Sequence, residues 1–284
     1  MITEITVISF VLLSGMSSVS FTQTLDGSPY TPGKDPDIDL YMNSWKNSMP
    51  RNTHGTLVER DILTPGDPMN PQAKGAVLSY VKRFVYATLA AHNPTQPTTL
   101  KGEQEIFFIL SGKGVMKARG KTTDLYAGIA VLMPANLEFT MENTGDEPLT
   151  MYIIREPIPD GFSPNKDILV KDENTLPIAS TTGHWCHIVK NLFNSDEGLA
   201  TLQSVLTVAI DPMTIPHPHS HVEKTEEVWT AVTGTSIAFI GKQIRWQEPG
   251  TGYKVPPNGN TPHSNINTSD RQVKIFYFSR LREK

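Results

Sequence analysis

The chain has 284 residues, of which 38% are hydrophobic and 19% are charged, and its formal net charge is −4. This size accommodates one large or two ordinary domains with buried cores, and the apolar content excludes a disordered chain. A single cysteine excludes a disulfide framework and any CxxC zinc or redox site. A slightly acidic chain without a basic run argues against nucleic acid as a partner.

The first twenty residues have the character of a targeting segment. An apolar run over 5–13 is followed by small residues up to Ser20. The run is too short to span a bilayer and has the length of a signal-peptide core. We predict a signal peptide over 1–20, an N-terminal extension over 21–60, and a periplasmic or secreted protein that has no membrane contact once the signal is removed. No Lys or Arg precedes the run, so a buried first strand in a cytoplasmic protein is the alternative.

Short runs rich in β-branched and aromatic residues, bounded by Gly, Pro and Asn, dominate the rest of the chain. These features are typical of strands, and helical periodicity is scarce. The composition therefore predicts an all-β fold, a sandwich or a barrel. The runs cover residues 77–89, 105–110, 129–133, 137–142, 149–154, 202–210, 227–232, 236–240 and 273–278.

Two parts of the chain look like copies of one unit. Residues 105–112 match residues 227–234 at an offset of 122, and Asn143 matches Asn267 at an offset of 124. Offsets this similar indicate a duplicated β-domain. The polar stretch between the copies predicts a linker. The domains are accordingly placed at 61–157 and 181–284, with the linker at 158–180.

A histidine cluster in the second copy is typical of a metal site. His217, His219 and His221 alternate, so in an extended chain they point to the same face. Glu227 begins the next predicted strand, and His263 lies further along. Three imidazoles and one carboxylate suit one divalent transition metal, with Fe, Mn, Cu, Ni and Zn all open. Four protein ligands leave positions on the metal for substrate, water or dioxygen.

These residues resemble the two motifs of the cupin family. His219-Ser-His221, followed by Glu227 and then Gly234, resembles the first motif. Pro257-Asn-Gly259, followed by His263 and Asn267, resembles the second. The resemblance implies two cupin barrels in one chain, each a jelly-roll-like double-stranded β-helix. It also implies that His219, His221, Glu227 and His263 are the metal ligands.

Two spacings depart from the family pattern. Three residues separate Gly259 from His263, where two are usual. Five residues separate His221 from Glu227, where three or four are usual, and this leaves Glu226 as a rival ligand. The six-residue spacing from Glu227 to Gly234 favours Glu227.

The catalytic residues are not identified by the sequence, and Glu226 and His217 are the candidates. His217 is a substrate contact, a group behind the ligands, or an exposed residue. Trp229 shares strand parity with Glu227 and is expected inside the barrel, as a pocket wall or as core.

The first copy lacks most of the predicted ligands. Glu105 is present, but residues 95–101 contain no histidine, and Phe139 stands where the second copy has His263. We therefore predict that domain 1 binds no metal. A buried carboxylate needs a partner, and Lys101 is the expected one. His54 lies in a polar N-terminal segment and is expected at the surface or an interface.

The resemblance implies three classes of function. The first is a metal-dependent oxidoreductase, dioxygenase-like, whose partner is a small oxygen-rich substrate. The alternatives are a non-redox isomerase, lyase or hydrolase for a sugar or small carboxylate, and a non-catalytic sugar- or small-molecule-binding cupin. Fold does not choose among these. A homo-oligomer is left open.

Overall fold

Antiparallel strands make up most of the structure, a computed structural model that describes residues 28–179 and 185–280. The predicted all-β class is confirmed. The predicted signal peptide lies outside the described residues. The helical elements are short: α1 (Ile38–Tyr41) and two 3-10 turns, Trp45–Asn47 and Ser195–Glu197. Within the described ranges, no helix has the length and apolar character required to cross a bilayer.

The first barrel consists of two sheets. Strands run in the order β13-β10-β7-β12-β5-β3-β2 in the larger sheet, where β4 also pairs in parallel with β3, and in the order β6-β11-β8-β9 in the smaller. Their bounds are β2 (Arg51–Thr53), β3 (Leu57–Pro65), β4 (Ala76–Leu78), β5 (Arg83–Leu89), β6 (Thr98–Thr99), β7 (Glu103–Ser111), β8 (Lys113–Ala118), β9 (Lys121–Tyr126), β10 (Ile129–Met133), β11 (Glu138–Asn143), β12 (Leu149–Pro157) and β13 (Leu169–Asp172).

The second barrel repeats this arrangement with fewer strands. Its larger sheet has the order β1-β19-β16-β21-β15-β14 and its smaller sheet the order β18-β17-β20. The bounds are β1 (Met42–Ser44), β14 (His187–Asn194), β15 (Ser204–Ile210), β16 (Glu226–Thr233), β17 (Ser236–Ile240), β18 (Gln243–Gln247), β19 (Thr251–Lys254), β20 (His263–Ile266) and β21 (Val273–Arg280).

The segments outside the predicted domains are built into the sheets. Strand β1 belongs to the predicted N-terminal extension, yet it pairs with β19 of the second barrel. Strand β13 belongs to the predicted linker, yet it pairs with β10 of the first barrel. The chain therefore ties the two barrels together with the segments before and between them.

The barrels share an apolar interface. Phe84 and Phe108 of the first barrel pack on Phe276 of the second, with ring centroids 6.1 and 5.0 Å apart. This interface core is continuous across both barrels, while each barrel interior has its own separate cluster. Each larger sheet is therefore covered on one face by the larger sheet of the other barrel and on the opposite face by the interior of its own barrel. Burial on both faces explains the nearly continuous apolar runs in the strands of these sheets.

The glycine that ends each matched run has a conformational role. Gly112 and Gly234 both have left-handed backbone, with φ of 91° and 76°. A Cβ on Gly112 would lie 2.6 Å from the carbonyl oxygen of Pro148. Glycine is required here because other residues rarely adopt this backbone and have no room for a side chain.

Candidate metal centre

The structure brings the four predicted ligands together at one end of the second barrel. Glu227 is the second residue of β16, and His263 begins β20. The stretch that carries His219 and His221 is held against β20 by backbone hydrogen bonds of 3.3 and 2.9 Å between His219 and His263. One ligand atom of each side chain lies within 4.8 Å of all the others.

The donor atoms of this cluster point at each other. The Nδ1–H of His219 donates to the carbonyl oxygen of His217 at 3.0 Å, which leaves the Nε2 lone pair facing the cluster. That Nε2 lies 3.1 Å from Nε2 of His221. Oε2 of Glu227 contacts Nε2 of His221, and Oε1 lies 3.5 Å from Nε2 of His263.

Several of these atoms are buried without a hydrogen-bond partner. They are Oε2 of Glu227 and both ring nitrogens of His263. Side chains of Glu227 and His263 are only 2% and 1% exposed, so water does not replace the missing partners. An unsatisfied buried polar atom costs about 1–3 kcal/mol, and a cation bound by these lone pairs would remove that cost. The residues therefore fit a divalent metal, and the cluster could hold one.

The charge state of Glu227 suits metal binding. Burial opposes ionisation of Glu227, but His263 and His221 outweigh it and hold the pKa of that carboxyl well below its usual range. Burial disfavours the charged form of His221, but the adjacent carboxylate of Glu227 outweighs burial and raises the pKa of His221, so a metal would have to displace a proton there. The carboxylate is therefore ionised, as a metal ligand must be.

Comparisons with known proteins identify the fold. Residues 86–155, within the first barrel, match the family model of the cupin domain. The oxalate decarboxylase of Lactobacillus farciminis superposes with a TM-score of 0.62 at 15% identity, covering 86% of this chain and 87% of that one. The protein Ylba of Escherichia coli superposes with a TM-score of 0.63 at 13% identity, covering 86% and 91%.

A 7S globulin of Momordica charantia has the same arrangement, with a TM-score of 0.62 at 11% identity over 86% of this chain and 84% of that one. The chain has the fold of a two-domain cupin. Identities this low establish the fold of the bicupin and leave its chemistry open. No curated protein sequence matches the chain.

The corresponding end of the cupin's first barrel holds ion pairs. Phe139 pairs with Thr98 where the second barrel pairs His263 with His219. Glu105 is fully buried and accepts a hydrogen bond from Nε of Arg155 at 2.7 Å. Nε2 of His54 lies 3.3 Å from its other oxygen. The cluster in the second barrel is the single group of metal-ligand type found among residues 28–179 and 185–280.

Two sequence-based expectations for the first barrel were wrong. Lys101 is exposed, and Arg155 and His54 are the partners of Glu105. His54 is inside the barrel, with its side chain only 5% exposed. The position of His54 inside the barrel was not predicted from the sequence. It depends on a turn at His54, where the backbone has a left-handed φ of 47°.

Glu226 does not face the four donors, in line with the spacing that favours Glu227, so the structure supports Glu226 neither as a rival ligand nor as a catalytic candidate. Adjacent strand residues point to opposite faces, and Glu226 points to the interface between barrels. There it accepts hydrogen bonds from the backbone N–H of Ser79 at 2.5 Å and from Nζ of Lys254 at 3.0 Å. The bicupin uses this carboxylate to hold its barrels together.

The remaining candidates lie beside the cluster. His217 is exposed, with its ring parallel to that of His219 at a centroid distance of 6.3 Å. Trp229 is 5% exposed and lies inside the barrel, where its indole N–H donates to Oε1 of Glu227 at 2.9 Å. Tyr277, which the sequence analysis missed, packs edge-on against Trp229 at 4.8 Å. Its position opposite Trp229 depends on the β16–β21 register.

The buried ion pair of the first barrel predicts a pH dependence of stability. Burial disfavours the charged form of His54, and Arg155 also opposes it. The hydrogen bond and charge of Glu105, with a contribution from Glu59, outweigh both and raise the pKa of His54. Because folding raises the pKa of His54, the pair stabilises the fold in full when the pH is below the pKa of the unfolded chain, about 6.5. This stabilisation is lost as the pH rises through the pKa of His54 in the folded protein.

We therefore expect the free energy of unfolding to fall as the pH is raised from about 6.5. The loss should be about 1.4 kcal/mol for each unit of difference between the folded and unfolded pKa. Urea unfolding of the wild type and of His54→Gln at several pH values measures it, because Gln does not titrate. Equal pH slopes in both proteins would contradict this assignment.

Proposed function

We propose that this cupin binds one divalent transition metal through His219, His221, Glu227 and His263, and that it is an enzyme acting on a small oxygen-rich molecule. The observation that carries the proposal is the uneven burial of the four donors. Glu227 and His263 are buried, whereas His219 and His221 are half-buried. The donors thus converge on a point that is closed on one side and accessible on the other.

An incomplete shell favours catalysis over a purely structural metal. Structural sites are normally closed by their protein ligands, whereas catalytic sites keep positions open. The bound metal would supply Lewis acidity or redox chemistry at the accessible side. The protein holds Glu227 ionised and fixes His219 through its Nδ1–H, so both present lone pairs before any ligand arrives.

The comparison between the two barrels also supports an enzyme. Phe139 shows that this fold accepts an apolar residue where the second barrel has His263. Stability therefore gives no reason for three convergent histidines. Among the reaction classes, an oxidoreductase is our first choice, and a non-redox lyase is the alternative that the similarity to oxalate decarboxylase structures supports. Export through the signal peptide is part of the proposal.

Exogenous oxygen donors test whether coordination positions are open. We expect oxalate, a hydroxy-ketone or a vicinal diol to change the visible spectrum of the cobalt-loaded protein, because each offers two oxygens to one metal. A quaternary ammonium ion of similar size, which has no lone pair to offer a metal, is the control. A spectrum that no oxygen donor alters would leave only a structural metal. With the native metal, oxygen uptake in a substrate screen then separates an oxidoreductase from a hydrolase or isomerase.

A further inference from the structure

We infer that Trp229 is a positioning residue for Glu227: its indole N–H holds one carboxylate oxygen, so that the other alone is offered to the metal. The inference rests on the proposed metal centre. Trp229 and Glu227 lie two residues apart on β16 and share a face. Nε1 of Trp229 donates to Oε1 at 2.9 Å, while Oε2, which faces His221, has no hydrogen-bond partner.

The indole is fixed by its surroundings. Its ring packs edge-on against Tyr277 at 4.8 Å and lies 5.5 Å from the ring of His187. The backbone carbonyl of Trp229 accepts a hydrogen bond from Nε2 of Gln247 at 2.9 Å. A close-packed side chain of this size does not change rotamer freely. The donor is therefore in place before a metal binds.

The first barrel supplies an internal comparison. The β16–β21 register places Trp229 opposite Tyr277, and the equivalent β7–β12 register places Phe107 opposite Ile153. The barrel without a metal-type cluster thus lacks the indole donor, and its own carboxylate is held by Arg155. The donor occurs in the barrel that has the three histidines and is absent from the other, which indicates a role tied to the metal centre and not to the fold.

Holding one oxygen determines how the metal is bound. A carboxylate restrained at Oε1 would offer Oε2 to a metal held by His219, His221 and His263. Without the indole N–H, the carboxylate of Glu227 would lose the donor that fixes Oε1. Groups that orient metal ligands typically contribute about 10- to 100-fold to metal affinity.

Zinc affinity tests this inference. Trp229→Phe removes the donor and keeps a ring of similar shape, and Trp246→Phe is the matched control because Trp246 is 65% exposed on the same barrel. In competition with a chromophoric chelator, we expect Trp229→Phe to bind zinc about 10- to 100-fold more weakly and Trp246→Phe to match the wild type. The cobalt spectrum of Trp229→Phe should also differ from that of the wild type.

A second measurement does not depend on folding of the Trp229 variant. The chain has four tryptophans, so the metal-free protein gives four indole N–H resonances. Glu227→Ala should shift the Trp229 resonance, identified by its proximity to the Tyr277 ring, and leave the other three in place. An unshifted resonance, or wild-type zinc affinity in Trp229→Phe, would overturn the inference. A wild type that binds no zinc or cobalt would instead overturn the proposed function, while the resonance would still report the hydrogen bond.

Discussion

Replacing both His219 and His221 with alanine should abolish metal binding. The wild type should carry one equivalent of metal per chain, because the second barrel has four converging donors and the described part of the first barrel has no comparable cluster. The double variant retains only Glu227 and His263. Two ligands do not hold a divalent transition metal against dialysis, so its metal content, measured by elemental analysis, should fall from one equivalent to near zero.

The control for this experiment is another histidine of the same chain. His92 is exposed in the first barrel and contacts only Asp146, at 3.0 Å, among the acidic residues described. Its replacement by alanine should leave one equivalent of metal in place. If the double variant of His219 and His221 still carries one equivalent, the metal is bound elsewhere in the protein.

Replacing Arg155 with methionine should destabilise the first barrel by about 3–5 kcal/mol. The guanidinium lies between two carboxylates, Glu105 at 2.7 Å and Glu59 at 3.1 Å, and both of these side chains are 0% exposed. Removing one partner of a buried ion pair leaves an uncompensated charge away from water. The measurement is the free energy of unfolding in urea.

An exposed ion pair provides the comparison. Lys82 and Glu103 lie 2.9 Å apart, but the lysine side chain is 46% exposed. Lys82→Met should therefore cost no more than about 1 kcal/mol. Adding Glu105→Gln to Arg155→Met should restore part of the lost stability, because one of the two buried carboxylates that lost the guanidinium is then neutral. Equal effects of Arg155→Met and Lys82→Met would show that the buried network does not stabilise the fold.

The all-β class, the duplication and the four donors of the candidate centre could be predicted from the amino-acid sequence. These features are local or periodic. Runs 129–133 and 236–240 coincide with β10 and β17 because turn residues bound them on both sides. His219 and His221 alternate, and the six-residue spacing between Glu227 and Gly234 singles out one of two adjacent carboxylates. A one-residue shift on a strand moves the side chain to the opposite face, so the spacing alone separates Glu227 from Glu226.

The surroundings of these donors could not be predicted from the sequence and follow from the tertiary structure. His54 contacts Glu105, which lies 51 residues later in the chain, and the sequence around His54 gives no sign of this contact. Glu226 is polar and adjoins the candidate ligand Glu227, yet one of its partners, the backbone N–H of Ser79, is on the other barrel. The indole N–H of Trp229 finds Glu227 through side-chain packing across β16 and β21. The contacts of His54 and Glu226 join residues far apart in the sequence, and the Trp229 ring is packed by Tyr277 of the neighbouring strand, so all three depend on the folding of the whole chain.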